Sequence, residues 1–522
     1  MSVSTTVSRV TGFVRAWAIA YALGVTLLAS SYSVANNIPN MIFELVAGGV
    51  LSSVFIPVFI ERQQRESDED AWRFASSVLN VTVLALGAVA LVGTVWAEPF
   101  VRTQTFRIAP EEARLATFLF RFFAIQIVFY GAMAVFTGVL NSYRRFLAPA
   151  VAPIFNNVVV IVTLLAVYVP LSRADSPLAI PALAIGTTLG VIVMAAVQVP
   201  SMRRTGIRWM PRIDLHHPGV RKMVRMMGPT VGYVVINLVA ISFRNAYAFE
   251  TGSGGPAALL YAWMFYQLPY GIFAVALATA VFPELSASAD RKDWASFKAT
   301  FAKGLRATGA LVIPMAAMLI ALANPLITLY RAGRFGEGDV PLVAAVLSWW
   351  AAGLFFFAAF MFVLKTFYST QDTKTPMVTN AVLLPAHIGM YAVLTSGAAG
   401  WPGLGLVGIP ISDAVFYGAH VVVLALILRR RIGGFDTRGI ASSVARMLLA
   451  SLAGGLVALA AVRATGSPRG FALLGQIALA GGLGLGVSYG GATLMRVPEV
   501  AAGHRLAGRF ARRILGRTPR DV

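Results

Sequence analysis

Apolar residues in this chain fall in long blocks rather than in alternating stripes. Stretches of about 20 residues, separated by short polar or basic segments, recur from end to end, and each is long enough to cross a hydrocarbon layer of about 30 Å as a helix. The pattern predicts about fourteen spans, at residues 9–35, 39–60, 75–101, 115–141, 149–171, 178–200, 224–250, 257–287, 299–323, 340–368, 375–397, 402–428, 440–462 and 470–495. An open strand at that depth would leave amides unpaired in hydrocarbon, so the predicted fold class is an all-α polytopic membrane protein.

The pattern is also written twice. SSVFIPVF around Pro57 is matched by TAVFPELS around Pro283, and the same spacing separates Pro99 from Pro325. Each copy carries a charged stretch ending in Asp-Ala-Trp-Arg-Phe or Asp-Trp-Ala-Ser-Phe, and VLNSYRRFLAP at 139–149 faces VLKTFYSTQDTKTP at 363–376. A duplicated apolar half implies two pseudo-symmetric six-helix lobes with a site that opens alternately to either side, which points to a transporter. The expected division is an N-terminal lobe at 1–203, a basic linker at 204–223, a C-terminal lobe at 224–431, an extra helical hairpin at 432–496 and a basic amphipathic tail at 497–522.

Composition narrows the classes further. Only 12% of the 522 residues are charged and the mean hydropathy is +0.73, whereas soluble domains carry about 25% charged residues. No stretch is polar enough for a separate soluble domain. The net charge of +21 is not spread as nucleic-acid binding would require. It concentrates in alternate loops, with Arg203, Arg204, Arg208, Arg212, Arg221, Lys222 and Arg225 in one and Arg429, Arg430, Arg431 and Arg438 in another. That bias puts both termini in the cytoplasm. The tail, with Arg505, Arg509, Arg512, Arg513, Arg517 and Arg520 around Leu506, Phe510 and Leu515, reads as a topology anchor on anionic lipid. With no cysteine and five scattered histidines, neither a disulfide nor a metal is expected. A His inside a helix, such as His387 or His420, reads as a satisfied interior polar group.

Charges kept at bilayer depth usually line a water-filled cavity or pair with one another. Here they are Arg9, Arg15, Glu44, Arg121, Arg244, Glu250, Lys365 and Asp413. Arg9 and Arg15 lie about 120° apart around a helix, so both cannot face lipid; Arg15 could pair with an acid such as Glu44 or face a substrate. Arginine's planar fork of donors suits a phosphate best. Asn36, Asn37 and Asn40 flank Pro39, where the first span is expected to meet the second, and Gln267, Pro269 and Gly271 form the matching break in span eight. Such breaks mark a binding site, a hinge or a packing kink. The candidate substrate-binding residues are Arg9, Arg15, Asn36, Asn40, Glu44, Arg244, Gln267 and Lys365.

Two glycine patterns carry no cofactor chemistry. Gly403, Gly405 and Gly408 satisfy G-x-G-x-x-G but lack the strand that a dinucleotide site needs. Gly482, Gly486 and Gly490, four apart, read as close helix packing. No Walker lysine follows a glycine loop, so ATP is not the expected energy source, and no cofactor is expected.

The segments SRVTGFVR at 8–15, SVANNIPN at 33–40, VLNSYRRFLAPAVAPIFNN at 139–157, YRAGRF at 330–335 and FYSTQDTKTP at 367–376 resemble the MurJ/MviN family of lipid II flippases, within the multidrug/oligosaccharidyl-lipid/polysaccharide exporter superfamily. The resemblance implies that undecaprenyl-pyrophosphate-linked glycopeptide moves from the cytoplasmic to the outer leaflet of the bacterial cytoplasmic membrane, with spans 13 and 14 forming a groove for the polyprenyl tail. Membrane lipids, and as candidates cell-wall synthesis enzymes, would be the other partners. The family's first-helix arginines match Arg9 and Arg15. The acid that follows is Ala16 here, a later aspartate is Ser30, an arginine pair falls on Phe43 and Glu44, and an arginine and acid of helix eight correspond to Met264 and Gln267. Arg244 is the candidate replacement for one positive charge.

Two other readings remain open at this stage: an exporter of cationic drugs or another polysaccharide lipid, which would need Glu44 or Asp413 for cation coupling, and a non-transporting scaffold for cell-wall enzymes. An enzyme is not expected, since no paired carboxylates or Ser-His arrangement stands at membrane depth.

Overall fold

The computed structural model describes residues 2–50, 55–211, 213–214, 218–398 and 400–501. The basic tail beyond residue 501, the linker residues Arg212, His216 and His217, and the side chains of Arg221, Lys222 and Arg225 lie outside what is described. Ten described helices are long and apolar enough to cross a membrane, eleven if the bent pair Pro110–Phe123 and Gln126–Ser142 counts as one span. About fourteen spans were expected; the helices at Ser2–Leu23, Leu27–Val50 and Pro218–Glu250 are not among the ten. Apart from an isolated bridge between Ala398 and Trp401, the described residues form no strand pairing.

The chain divides into two compact units. The first holds residues Met1–Leu260, Tyr330–Asp339 and Ala398–Pro402. Its helices are α1 (Ser2–Leu23), α2 (Leu27–Val50), α3 (Ile56–Arg65), α4 (Asp68–Val95), α5 (Ala97–Thr105), α6 (Pro110–Phe123), α7 (Gln126–Ser142), α8 (Leu147–Val162), α9 (Val169–Arg173), α10 (Ala179–Ala196), α11 (Val199–Arg203) and α12 (Pro218–Glu250). A π-helical stretch at Thr163–Tyr168 joins α8 to α9. Against expectation, the first two spans part at Gly24 and not at Pro39, which lies inside α2. Local chemistry accounts for the difference: Gly24 takes φ +63°, and the Thr26 hydroxyl caps α2 by accepting from Ala29 N at 3.3 Å, the usual glycine stop and threonine start.

A loop that follows the later helices in sequence belongs to this unit. Arg334 N donates to Tyr21 O at 2.9 Å, Arg334 Nη2 to Ser172 Oγ at 3.0 Å, and Phe13 stacks on Tyr330. The YRAGRF segment is therefore a backbone-docked loop at the end of α1. The unit's core includes Phe55 stacked on Phe74 and Phe59, closed by Val58, Val78, Val135 and Val139.

The second unit holds Tyr261–Leu329, Val340–Gly397 and Gly403–Val522. Its helices are the remainder of α13 (Gly255–Pro269), α14 (Val275–Asp290), α15 (Trp294–Ala321), α16 (Ala323–Thr328), α17 (Asp339–Ser369), α18 (Lys374–Tyr391), α19 (Gly408–Ile432), α20 (Thr437–Thr465) and α21 (Phe471–Leu494). A π-helical turn at Tyr270–Ala274, which directly follows Pro269 and contains Gly271, separates α13 from α14. α20 and α21 pack on each other and on α15. Their close approach is made at Gly454 and Gly484, where a Cβ would meet Ser488 Oγ at 2.1 Å and Met318 Sδ at 2.5 Å. Gly482, Gly486 and Gly490, expected to do this, have nothing within 4 Å of their Cβ positions. Two residues at 100° each place Gly482 and Gly484 on opposite faces of α21, and the small-residue rule alone cannot say which face is inside. The outward face of α20 presents Leu449 at 56% and Leu456 at 67% exposure, as expected of a helix in lipid.

The sequence repeat is visible in local structure. Ser67 caps α4 by accepting from Asp70 N, and Asp293 caps α15 by accepting from Ser296 N. Pro99 and Pro325 both lie in a short helix directly after a long one. The VLNSYRRF and VLKTFYSTQD segments both end a helix and turn through a left-handed residue, Arg144 at φ 56° and Gln371 at φ 59°. Gly403 and Gly405 also have positive φ, and a Cβ on Gly408 would fall 2.3 Å from Leu394 O, so this glycine run serves a tight turn into α19.

Candidate functional site

Arg15 is near the middle of α1, where that helix packs on α8. Its Nη1 donates to Asn157 Oδ1 at 3.5 Å. Asn157 is fixed in turn because its Nδ2 donates to Thr11 Oγ1 at 3.0 Å and to Ser8 O at 3.5 Å. An amide thus orients the half-buried guanidinium without neutralising it. Of the two roles open for Arg15, pairing with Glu44 is not seen: Glu44 is exposed on α2, and no ion pair joins the two. Arg15 also lies within electrostatic reach of the buried Tyr130, whose ring is 5.2 Å from that of Phe43 on α2.

Asn36, Asn40 and Glu44 recur every fourth residue and so form one stripe along α2. Asn36 Oδ1 is buried with no hydrogen-bond partner among the described residues. α12 packs on α2 and α5 and carries Arg244, whose Nε is likewise buried without a partner among the described residues. The next residue, Asn245, donates to Gln104 Oε1 at 2.5 Å and ties α12 to α5. Arg9 is exposed, nearly two turns from Arg15. Glu250 lies at the end of α12, where the fork of Arg107 donates to both its oxygens at 2.7 Å, a bidentate pair at a helix terminus. Arg121 is exposed on α6.

Gln267 and Lys365 belong to the second unit. Gln267 Nε2 contacts Met264 Sδ at 3.3 Å. Lys365 Nζ reaches Thr279 Oγ1 at 3.5 Å and sits over the ring of Phe282. The structure therefore groups Arg15, Asn36, Asn40, Glu44 and Arg244 on packed helices of one unit and assigns Gln267 and Lys365 to the other.

Sequence reasoning gave Asn157 no role and did not foresee what surrounds Asp413. Asn157 stood inside a quoted segment with no role given; its signal was an amide in a span opposite the arginine-bearing helix. In the second unit, Asp413 was read as a retained charge and a candidate for cation coupling, but its partners were not foreseen. Asp413, 8% exposed, accepts from Trp350 Nε1 at 2.9 Å and from the Tyr391 hydroxyl at 2.5 Å, with His387 Nε2 at 3.1 Å. His387 and Tyr391 are four apart on α18, so one helical face carries both. His420, expected to be a satisfied interior group, is fully buried, and neither ring nitrogen reaches a well-aligned partner among the described residues. No group of three His, Asp or Glu residues among those described could hold a metal ion.

The described residues form an all-helical, multi-span chain in two compact units. Its fold is similar to that of a multidrug resistance MATE family transporter of the MOP superfamily in an inward-facing conformation (TM-score 0.66, 14% identity, 83% of this chain and 95% of that one). It is similar also to a lipid II flippase MurJ in an inward closed conformation (TM-score 0.76, 22% identity, 95% of this chain and 98% of that one). The fold is thus that of an all-helical polytopic membrane protein. The family follows from sequence. The lipid II flippase MurJ of Burkholderia cenocepacia is 29% identical over 435 residues, 82% of each chain, and the family model for lipid II flippase MurJ matches residues 19–474. The chain belongs to the lipid II flippase MurJ family.

Proposed function

We propose that this chain flips lipid II, carrying the undecaprenyl-pyrophosphate-linked glycopeptide from the inner to the outer leaflet of the bacterial cytoplasmic membrane, with both of its own termini in the cytoplasm. The observation that supports this most is the pair of unsatisfied polar groups on packed helices of the first unit, Arg244 Nε and Asn36 Oδ1. A buried donor left without an acceptor costs about 1–3 kcal/mol, more when it is charged, so a cation kept this way suits an anionic visitor. Arg15, oriented by a neutral amide, keeps its full charge for the same purpose. A pyrophosphate offers several acceptor oxygens to guanidinium forks; the Asn36 and Asn40 stripe suits the hydroxyl and amide groups beyond it.

In this reading Arg15 and Arg244 capture the diphosphate and Arg9 contributes at the entrance. The polyprenyl tail stays in lipid along the apolar face of α20 and α21, and the lobes alternate between inward-open and outward-open states. The cycle requires only that the two states lie within a few kcal/mol of each other. The test is complementation of a flippase-depleted strain by Arg15→Ala at matched protein level. Loss of growth is expected, and normal growth with the stable variant rejects the assigned role. Binding of purified protein to lipid II, compared with undecaprenyl phosphate alone, tests recognition of the head group separately.

A further inference from the structure

A buried carboxylate in the second unit has a use that the capture of a diphosphate leaves unexplained. Asp413 joins three helices through its two oxygens: α17 through the Trp350 indole, α18 through His387 and Tyr391, and α19, which carries it. The His387 ring lies flat on Phe416, centroids 3.9 Å apart and planes 12° apart, so its Nε2 is held toward the carboxylate. Its Nδ1 is buried with no partner among the described residues. Among those residues, the titratable groups facing Asp413 are His387 and Tyr391 from α18, Tyr266 from α13, which lies within its electrostatic reach, and Tyr417 and His420 further along α19. His420 packs edge-on against Phe416.

We propose that Asp413, His387, Tyr391 and Trp350 form a binding site for one proton, whose occupancy sets the packing of α17, α18 and α19. With His387 neutral and Asp413 ionised, the cluster carries a net negative charge in a setting where isolated charge is expensive. With one proton added to the carboxyl, held as a neutral acid beside neutral imidazole, the net charge vanishes. The three hydrogen bonds from Tyr391, Trp350 and His387 are strongest when they meet a carboxylate, because charge-assisted bonds are about twice as strong as neutral ones. Each state therefore gains what the other lacks: the unprotonated cluster has strong bonds and an unbalanced charge, the protonated one has balanced charge and weaker bonds. Such opposition leaves two states close in energy, as a switch requires, and the weakened bonds are those that tie the three helices together.

The donor set selects a proton over a metal cation. An indole N–H only donates, and it points at Asp413 Oδ2. A hard cation would need a shell of oxygen ligands, whereas two of the three side chains on this carboxylate present nitrogen.

The experiment is a pH titration of the full-length protein in lipid nanodiscs, followed by infrared difference spectroscopy for carboxyl protonation and by nitrogen NMR of the histidines, with sodium chloride exchanged for potassium chloride as a second arm. One protonation event is expected, its carboxyl signal lost in Asp413→Asn. In His387→Gln, where the imidazole beside the acid is gone, the proton should bind at least about tenfold more weakly, an interaction of one pH unit or more. Hydrogen exchange over 374–396 and 408–432 should follow the same titration. A carboxyl signal that survives Asp413→Asn, a midpoint unmoved in His387→Gln, or a change driven by sodium at fixed pH would each overturn the proposal. None of these readouts depends on lipid II, so failure here is separable from failure of the flippase reading.

Discussion

Replacing Gly333 by alanine should release the YRAGRF loop from the end of α1. Gly333 has φ +61°, and a Cβ there would lie 2.3 Å from Tyr21 O and 2.7 Å from Tyr21 Cδ2. Placing a residue with a Cβ in the left-handed region costs about 1–2 kcal/mol. The nearest atom belongs to the backbone, so no rotamer change relieves the contact and the two segments must part. Their separation breaks the hydrogen bond from Arg334 N to Tyr21 O, a further loss of about 1 kcal/mol. The opposing residue, Gly24, is equally constrained, since a Cβ on it would meet Arg334 O at 2.5 Å. The sum of roughly 2–3 kcal/mol corresponds to an opening equilibrium shifted roughly 30- to 150-fold. Hydrogen exchange at the Arg334 amide reads this directly, because local opening governs exchange. Gly338→Ala is the control in the same loop, with nothing within 4 Å of its Cβ position. If Arg334 is as protected in Gly333→Ala as in the parent, or if Gly338→Ala opens the loop as far, the argument from backbone contact is refuted.

Two further outcomes follow from polar ties in the second unit. Glu499 accepts from Arg306 Nε at 2.7 Å and from the Ser443 hydroxyl at 2.8 Å, so Glu499→Ala should lower stability by roughly 1–3 kcal/mol through unmet donors, seen as a lower unfolding temperature with the loss centred on the α20–α21 hairpin. Burial pushes the Asp372 carboxyl up, but hydrogen bonds from Thr375 and the Arg431 guanidinium outweigh it and hold it below its ordinary value. A depressed carboxyl contributes stability above its unfolded pKa and loses it as pH falls through the lower folded value, so protection of the 370–376 turn should be flat from about pH 5 upward and fall under stronger acid, and in Asp372→Asn it should be reduced near neutral pH and lose that acid dependence.

How much was legible in the residues differed from element to element. Residues that end helices wrote their role locally: Ser67 and Asp293 cap, Arg144 and Gln371 turn, and Pro99 and Pro325 open short helices in both copies of the repeat. The end of the first span was equally local, at Gly24 and Thr26, yet the asparagines around Pro39 drew the expected boundary past it. A proline breaks a helix in water more readily than in a bilayer, where neighbouring helices and polar side chains satisfy the freed backbone groups. Arg15 and Asn36 were legible as charge and amide out of place in apolar runs. That Arg15 would rest on Asn157, some 140 residues away, and that Glu44 would be exposed were not, because a span's sequence does not state which face meets which neighbour.

The sequence alone determined that this chain is helical and lies in a membrane, that its halves repeat, and which few side chains are too costly at that depth to be accidental. Those conclusions depend on transfer energies and on the length of a helix, both properties of a segment by itself. Tertiary structure alone decided that Gly454 and Gly484, and not the evenly spaced Gly482, Gly486 and Gly490, bring α20 and α21 together. It alone gathered Asp413, His387, Tyr391 and Trp350 from three helices onto one carboxylate. Contacts of that kind depend on the rotation of each helix about its axis, which is fixed when helices pack and written in no single segment.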